Sequence, residues 1–295
     1  LCLTSDLTKS AKVNSNHKEN GNITAAMLAA EMGHVKILKL LITAGANLRN
    51  VYRNDHRNAF QIAITSKQVD VVRFIVTNMY SNFSEYDKEK KRKILKEKLI
   101  SSDGNTILLD CIQYGDIHIC ELIIEHFCLD VDECNKKTGE FPLTLATELN
   151  KAEMVTILLK YTKNVNVKRK KTGSSPLLIA CSKGLTKIVE LLLSYDGASN
   201  ATELNDLNNT YIFGNNNCIS GNDHVDINIK DLQGITPLIE AAKKRESSIV
   251  KLLLESNKCN VNAVSNIGLS ALLCAVQMED TYSVSMLLSR NAKIL

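Results

Sequence analysis

The sequence predicts an all-α solenoid, in which short helix pairs stack on one another. Three observations predict it: a local pattern that recurs about every 34 residues, a turn inside each copy, and an apolar stripe at helical spacing after that turn. A fixed period of this length is typical of repeat proteins. Neither helix of a copy could bury its apolar side alone, so the copies must stack.

The recurring pattern contains all three prolines of the chain, each followed by leucine. Successive copies start 34, 48, 35, 34, 61 and 34 residues apart. We interpret the two long intervals as one repeat plus about 14 and about 27 inserted residues. The seven copies start at Thr24, Asn58, Thr106, Phe141, Ser175, Thr236 and Ser270.

A first helix is predicted directly after each starting residue. Threonine, serine and asparagine can cap the free amides of a helix start, and proline at the next position is pre-set for the first helical turn. Small and apolar residues follow at helical spacing, as in Ala26, Ala29 and Ala30. Such a narrow face lets a neighbouring helix approach closely.

A turn then reverses the chain before the second helix. We expect Gly33, Gly115 and Gly184 to supply the left-handed backbone conformation that this turn needs. Three copies carry a side chain at this position, which costs about 1 kcal/mol each, and we expect those copies to be less stable. The residues concerned are Lys67, Arg245 and Glu279.

The second helix carries one wide apolar stripe in each copy, as in Ile188, Val189 and Leu192. Together with this stripe, the runs 234–242 (GITPLIEAA), 32–38 (MGHVKIL) and 44–47 (AGAN) resemble the ankyrin repeat. The resemblance covers residues 20–295 and implies an ankyrin-repeat solenoid of stacked helix pairs with hairpin-like fingers. It also implies that the protein acts by binding other proteins.

The domain organisation follows from the repeat spacing. Residues 1–19 are a polar lead-in or the remnant of a preceding repeat, and residues 20–295 form the repeat domain. We expect both ends to be cut from a longer chain. Repeats are predicted near 20–52, 53–79, 102–135, 136–168, 169–194, 229–262 and 263–295, with insertions at about 80–101 and 195–228.

Composition limits the compartment and the class of partner. The chain has 44% hydrophobic and 23% charged residues, enough for a packed core, and we find no apolar run long enough to suggest membrane contact. Nine cysteines occur singly, which is typical of reduced thiols in the cytoplasm or nucleus. The net charge of only +4 and the lack of interleaved aromatic residues argue against nucleic acid as a partner.

Enzyme motifs are not found in the sequence, so we expect no catalysis and no cofactor. A zinc site built from cysteines and histidines near Cys111 and Cys120 is one alternative. However, these two cysteines fall on helix positions that point into the stack, where they serve as small buried apolar residues. We therefore predict no metal site.

The resemblance implies that a partner meets the finger tips and the first helices. Matching positions here are mostly basic, which favours an acidic segment of a partner protein; the same lysines could instead only keep the protein soluble. The predicted partner-binding residues are Tyr52, Arg53, Arg57, Tyr114, Lys136, Lys137, Leu149, Lys168, Arg169, Lys170, Lys171, Lys183, Lys243 and Lys244.

The first insertion contains a basic run between Lys88 and Lys98. It is interpreted either as a solvated helix extension or as a nuclear-import signal. The residues of that signal would be Lys90, Lys91, Arg92 and Lys93.

Two functional classes follow from the sequence. The first is a non-catalytic scaffold or adaptor in a multiprotein complex of the cytoplasm or nucleus, with a regulatory role in the nucleus as one possibility. It would bind an acidic or extended segment on its fingers and concave face. The alternative is the recognition arm of a larger enzyme or ion channel that lies outside this chain.

Overall fold

The computed structural model describes residues 13–14, 23–48, 57–80, 104–127, 129–195, 224–256 and 258–293. Within these residues it contains seven pairs of α-helices and no strand beyond isolated bridges, one of which joins Val264 and Ser270. The predicted all-α fold is confirmed. The chain divides into two compact units, residues 1–130 with 134–137 and residues 131–133 with 138–295.

The first unit contains three helix pairs. The first helices of the pairs pack in one row, α1 on α3 and α3 on α5, and the second helices pack in another, α2 on α4 and α4 on α6. The helices are α1 (Ala25–Glu31), α2 (Val35–Thr43), α3 (Ala59–Thr65), α4 (Val69–Tyr80), α5 (Ile107–Tyr114) and α6 (Ile117–Phe127).

The second unit contains four helix pairs in the same arrangement. Each first helix contacts the first helix of the next pair, and each second helix contacts the next second helix. The helices are α7 (Pro142–Glu148), α8 (Ala152–Tyr161), α9 (Pro176–Ser182), α10 (Thr186–Leu193), α11 (Pro237–Lys243), α12 (Ser247–Glu255), α13 (Ala271–Gln277) and α14 (Thr281–Ser289).

The starting residues of the repeats cap the first helices, as the sequence predicts. Thr236 Oγ1, for example, accepts from the backbone amide of Ile239 at 3.4 Å. Phe141 has no side chain that can cap, and Thr144 compensates by accepting from the Phe141 amide at 3.0 Å. The first turn of α7 is therefore closed by a residue from inside the helix.

The turn between the helices of a pair is left-handed in most repeats. Gly33 and Gly184 have φ values of 77° and 68°. The three side-chain-bearing residues that the sequence predicts at this position have the same conformation, and so does Asn150. Their φ values are 57° at Lys67, 54° at Asn150, 60° at Arg245 and 52° at Glu279.

Gly115 does not follow the prediction for this turn. Its φ is −77° with ψ 177°, so its backbone is extended rather than left-handed. Helix α5 runs one residue longer than α1 before the turn, and the Gly115 amide donates to Cys111 O at 2.8 Å. A Cβ on Gly115 would lie 2.6 Å from that oxygen, so glycine is needed here for close approach.

A ladder of amide and carboxylate side chains joins neighbouring fingers. In the second unit, Asn228 Nδ2 donates to Lys258 O at 2.8 Å, and Asn228 Oδ1 accepts from the Asn260 amide at 2.7 Å. Asn166 binds His224 O and the Asp226 amide in the same way. His224, Asp226 and Asn228 lie in the stretch predicted as the second insertion (about 195–228), and they take part in the same finger contacts.

The same ladder continues at other fingers. Asp132 accepts from Thr162 and Lys163, and Asn262 binds the backbone of Asn291 and Lys293. In the first unit, Asn14 Nδ2 donates to Gly45 O at 3.0 Å, and Asn14 Oδ1 accepts from the Asn47 amide. Asn14 thus makes the same contacts as a finger residue, although most of residues 1–19 lies outside the described residues.

Replacing Lys67 by glycine should stabilise the protein, because glycine adopts a left-handed φ without the steric cost that a Cβ carries. We expect the free energy of unfolding to rise by about 0.5–1 kcal/mol, measured by urea denaturation. The matched control is Ser66→Gly, at a neighbouring residue with φ −87°, which should lower the free energy of unfolding. If the two substitutions changed the free energy of unfolding equally, the turn at Lys67 would not be strained.

Candidate protein-binding surface

The predicted partner-binding residues are divided between the two units. Tyr52, Arg53 and the proposed import signal 90–93 lie outside the described residues. Arg57, Tyr114, Lys136 and Lys137 belong to the first unit. The others belong to the second unit, and they are Leu149, Lys168, Arg169, Lys170, Lys171, Lys183, Lys243 and Lys244.

Arg57 and Tyr114 come together in the first unit. The Arg57 guanidinium carbon lies 5.4 Å from the centre of the Tyr114 ring, a cation–π distance. Arg57 directly precedes the cap of α3, and Tyr114 ends α5, so the pair links one repeat to the next. Tyr114 remains 40% exposed and presents an aromatic surface beside a positive charge.

The fingers of the second unit are held together at their tips. The Leu232 amide donates to Thr172 O at 3.2 Å, and the Asn266 amide donates to Gln233 O at 2.9 Å. Glycine permits this approach, because a Cβ on Gly173 would lie 2.8 Å from the Leu232 nitrogen. Three successive fingers therefore form one edge with a fixed backbone, which we call the finger edge (residues 170–173, 231–234 and 265–268).

A groove of about 560 Å³ runs beside the finger edge. The first helices α9 and α11 supply its floor with Leu178, Ile179 and Glu240, and the fingers supply one wall. The other charged and apolar residues that line the groove are Glu148, Arg169, Lys171, Lys183, Asp231, Leu232, Ile235 and Lys243.

The positive charges of this groove are partly neutralised within the protein. Arg169 donates to Glu140 Oε1 through Nη2 at 2.8 Å and through Nε at 3.0 Å, and to Glu148 Oε2 through Nη1 at 3.1 Å. Lys183 Nζ lies 2.5 Å from Glu148 Oε1. Arg169 and Lys183 thus form one ion-pair network with two carboxylates, and the Arg169 side chain is only 20% exposed.

The network lowers the pKa of Glu148. Partial burial of this carboxyl would raise its pKa, but the hydrogen bond from Lys183 and the positive charge of Arg169 outweigh that effect. The carboxylate therefore stays ionised to a lower pH than an ordinary glutamate. The negative charge of Glu148 also holds Arg169 against the preceding repeat, so the Arg169 guanidinium is not available to a partner.

Other lysines of the predicted set differ in their surroundings. Lys168 Nζ donates to Lys230 O at 2.7 Å, and Lys243 Nζ lies 3.9 Å from Glu240 Oε2. Lys170, Lys171 and Lys244 are exposed, and their charges face solvent. The expected positive surface is therefore a mixed one, with exposed lysines beside a neutralised network. That these residues bind a partner stays a prediction.

Two exposed apolar residues of the finger edge were missed by the sequence analysis. Leu232 is 65% exposed and Ile267 is 81% exposed, and both lie in finger turns. Large apolar side chains in a turn that joins two repeats were the signal that could have identified them. Leu149, at the end of α7, is a predicted apolar anchor and is 40% exposed.

Within the described residues, no three histidine, cysteine, aspartate or glutamate side chains are grouped so that they could hold a metal ion. Cys111 and Cys120 are fully buried, and burial raises the pKa of the Cys111 thiol. In the same part of the chain, every helix is too short or too polar to cross a bilayer.

Removing the carboxylate of Glu148 should destabilise the protein in a pH-dependent way. Because its folded-state pKa is lowered, the stabilisation is present above the ordinary pKa of 4.5 and is lost as pH falls through the lower folded value. We expect Glu148→Gln to cost about 1 kcal/mol at pH 7, with the partial exposure of the network taken into account.

The measurement is urea denaturation of both proteins at neutral pH and at a pH below the lowered folded pKa of Glu148. The matched control is Glu153→Gln, an exposed carboxylate on α8, which should change stability little at either pH. A loss at Glu148→Gln that is the same at both pH values would show that the carboxylate charge is not what stabilises the network.

Comparison with known proteins agrees with this architecture. A family model described as ankyrin repeats in three copies matches residues 3–88, 84–169, 108–205 and 200–295. A search of curated protein sequences finds no match.

Solved structures share the fold at low sequence identity. The ankyrin repeat domain of Bcl-3, described as a unique member of the IkappaB protein family, is similar with a TM-score of 0.66 and 17% identity, over 90% of this chain and 98% of that one. The human ASB11 ankyrin repeat domain is similar with a TM-score of 0.62 and 20% identity, over 92% of this chain and 100% of that one. With family matches along its length and these structural neighbours, the chain is a member of the ankyrin repeat family.

Proposed function

We propose that this protein is a non-catalytic scaffold in a multiprotein complex of the cytoplasm or nucleus, and that it holds an acidic or extended segment of another protein. Ankyrin repeats are protein–protein interaction modules, so binding another protein is the general activity of the family to which the chain belongs. The proposal adds where the partner lies and what its chemistry is.

The observation that carries the proposal is the groove beside the finger edge. A concave surface with a fixed backbone loses little freedom when a partner binds, which favours affinity. Exposed Lys170 and Lys171 stand at the finger of the fifth repeat, with Lys244 at the end of α11. Their charges would steer an acidic segment toward the groove and fix its register.

The thiols support a reducing compartment. In the described part of the chain, six cysteines are free, and they are Cys111, Cys120, Cys134, Cys181, Cys259 and Cys274. A protein of the cytoplasm or nucleus keeps its thiols in this state, whereas a secreted repeat protein commonly oxidises them.

Affinity purification from the native cells, followed by mass spectrometry, tests this function. We expect one or more proteins at near-stoichiometric amounts with the wild-type chain and at least fivefold less with the double variant Lys170→Glu and Lys171→Glu, because charge reversal repels an acidic segment.

The matched control is Lys187→Glu, which changes the charge of an exposed lysine on the second helix of the same repeat. It should retain the partner. The proposal would be overturned if no protein were recovered at a near-stoichiometric amount. It would also be overturned if the wild type, the double variant and the control recovered equal amounts.

A further inference from the structure

The finger edge changes character from one repeat to the next. The finger of the fifth repeat carries the exposed lysines Lys170 and Lys171, whereas the fingers of the sixth and seventh repeats carry the exposed apolar residues Leu232 and Ile267. Basic and apolar side chains are therefore separated along one edge rather than mixed.

Hydrogen bonds keep these two parts at a fixed distance. Leu232 is joined through its amide to Thr172 O, directly after the lysines. Asn266, next to Ile267, donates from its amide to Gln233 O and from Nδ2 to Leu232 O at 3.1 Å. The exposed lysines and the exposed apolar residues therefore lie at a constant distance from each other, and one ligand can contact both.

The groove connects the two parts. Lys171 and Leu232 both face it, so one short segment can contact the two side chains at once. Its floor contains the apolar residues Leu178 and Ile179, which lie between the charged walls. Single exposed apolar residues are common on protein surfaces, but two such residues on adjoining fingers form a larger apolar surface that a partner can cover.

We propose that the finger edge binds a two-part partner segment, in which acidic residues contact Lys170 and Lys171 and large aliphatic residues contact Leu232 and Ile267. This inference rests on the proposed function and specifies its partner class. The acidic part would set orientation and the rate of association, and burial of the aliphatic part would supply most of the affinity.

The chemistry of the groove favours a protein segment over single-stranded nucleic acid. None of the described residues that line it is aromatic, so bases would find no ring on which to stack. Exposed leucine and isoleucine instead match aliphatic side chains.

The test measures binding of labelled peptides to the whole protein by fluorescence anisotropy. The parent peptide carries glutamates in its first half and leucines in its second half. One derivative replaces the leucines by alanine, and another replaces the glutamates by lysine. We expect the parent peptide to bind at least tenfold more tightly than either derivative.

Two double variants locate the parts of the site. Lys170→Glu with Lys171→Glu should weaken the parent peptide about tenfold and should strengthen the lysine peptide, because the charges are exchanged on both sides. Leu232→Ala with Ile267→Ala should weaken the parent peptide about tenfold and leave the alanine peptide unchanged. The matched controls are Lys187→Glu and Val276→Ala, an exposed lysine and an exposed valine of the same unit away from the finger edge.

Several outcomes would overturn the inference. One is equal binding of all three peptides, and another is a lysine peptide that binds the variant Lys170→Glu with Lys171→Glu no more tightly than it binds the wild-type protein. A third is a parent peptide that does not bind, together with a single-stranded RNA oligonucleotide whose binding is lost in that variant. If the peptides fail but the cellular partner is still lost with the lysine variant, the proposed function stands and only the two-part segment is wrong.

Discussion

The structure depends on the burial of short helices by their neighbours. The first helices of the second unit have seven residues each, far below the length at which an isolated helix is stable in water. The sixth residue after the cap shows how much a neighbour matters. It is fully buried as Cys181 and Ala242, where another first helix packs against it, but Val276 in α13 is 57% exposed.

Stacking also determines where the fingers lie. Within each unit, the stacked helix pairs bring neighbouring fingers together. In the second unit the fingers are close enough for the ladder of amide and carboxylate side chains and for the backbone bonds of the finger edge. The exposed side chains of the finger edge are thus placed by buried contacts elsewhere in the repeat. Substitutions of the exposed side chains in the finger edge should then leave the fold unchanged, since the helices hold the backbone in place.

Much of the fold could be predicted from the sequence, because the repeat is encoded by nearby residues. The helix caps and the left-handed residues at Lys67, Arg245 and Glu279 all depend on contacts within one turn of chain. The prediction of a left-handed backbone at Gly115 was wrong because glycine serves two purposes. A glycine in the sequence can mark either a left-handed turn or a close approach to another backbone atom, here Cys111 O.

The candidate site was harder to predict, since it joins residues of different repeats. Arg169 was identified as a basic residue of a finger tip, but its pairing with Glu140 and Glu148 spans 29 and 21 residues of sequence and appears only when the fingers are folded.

Native-state hydrogen exchange of the intact protein tests most directly the claim that neighbouring helices stabilise each short helix. The account predicts strong protection of the amides in α9 and α11 and weaker protection in α13; equal protection in all three, or rapid exchange in α9 and α11, would contradict it.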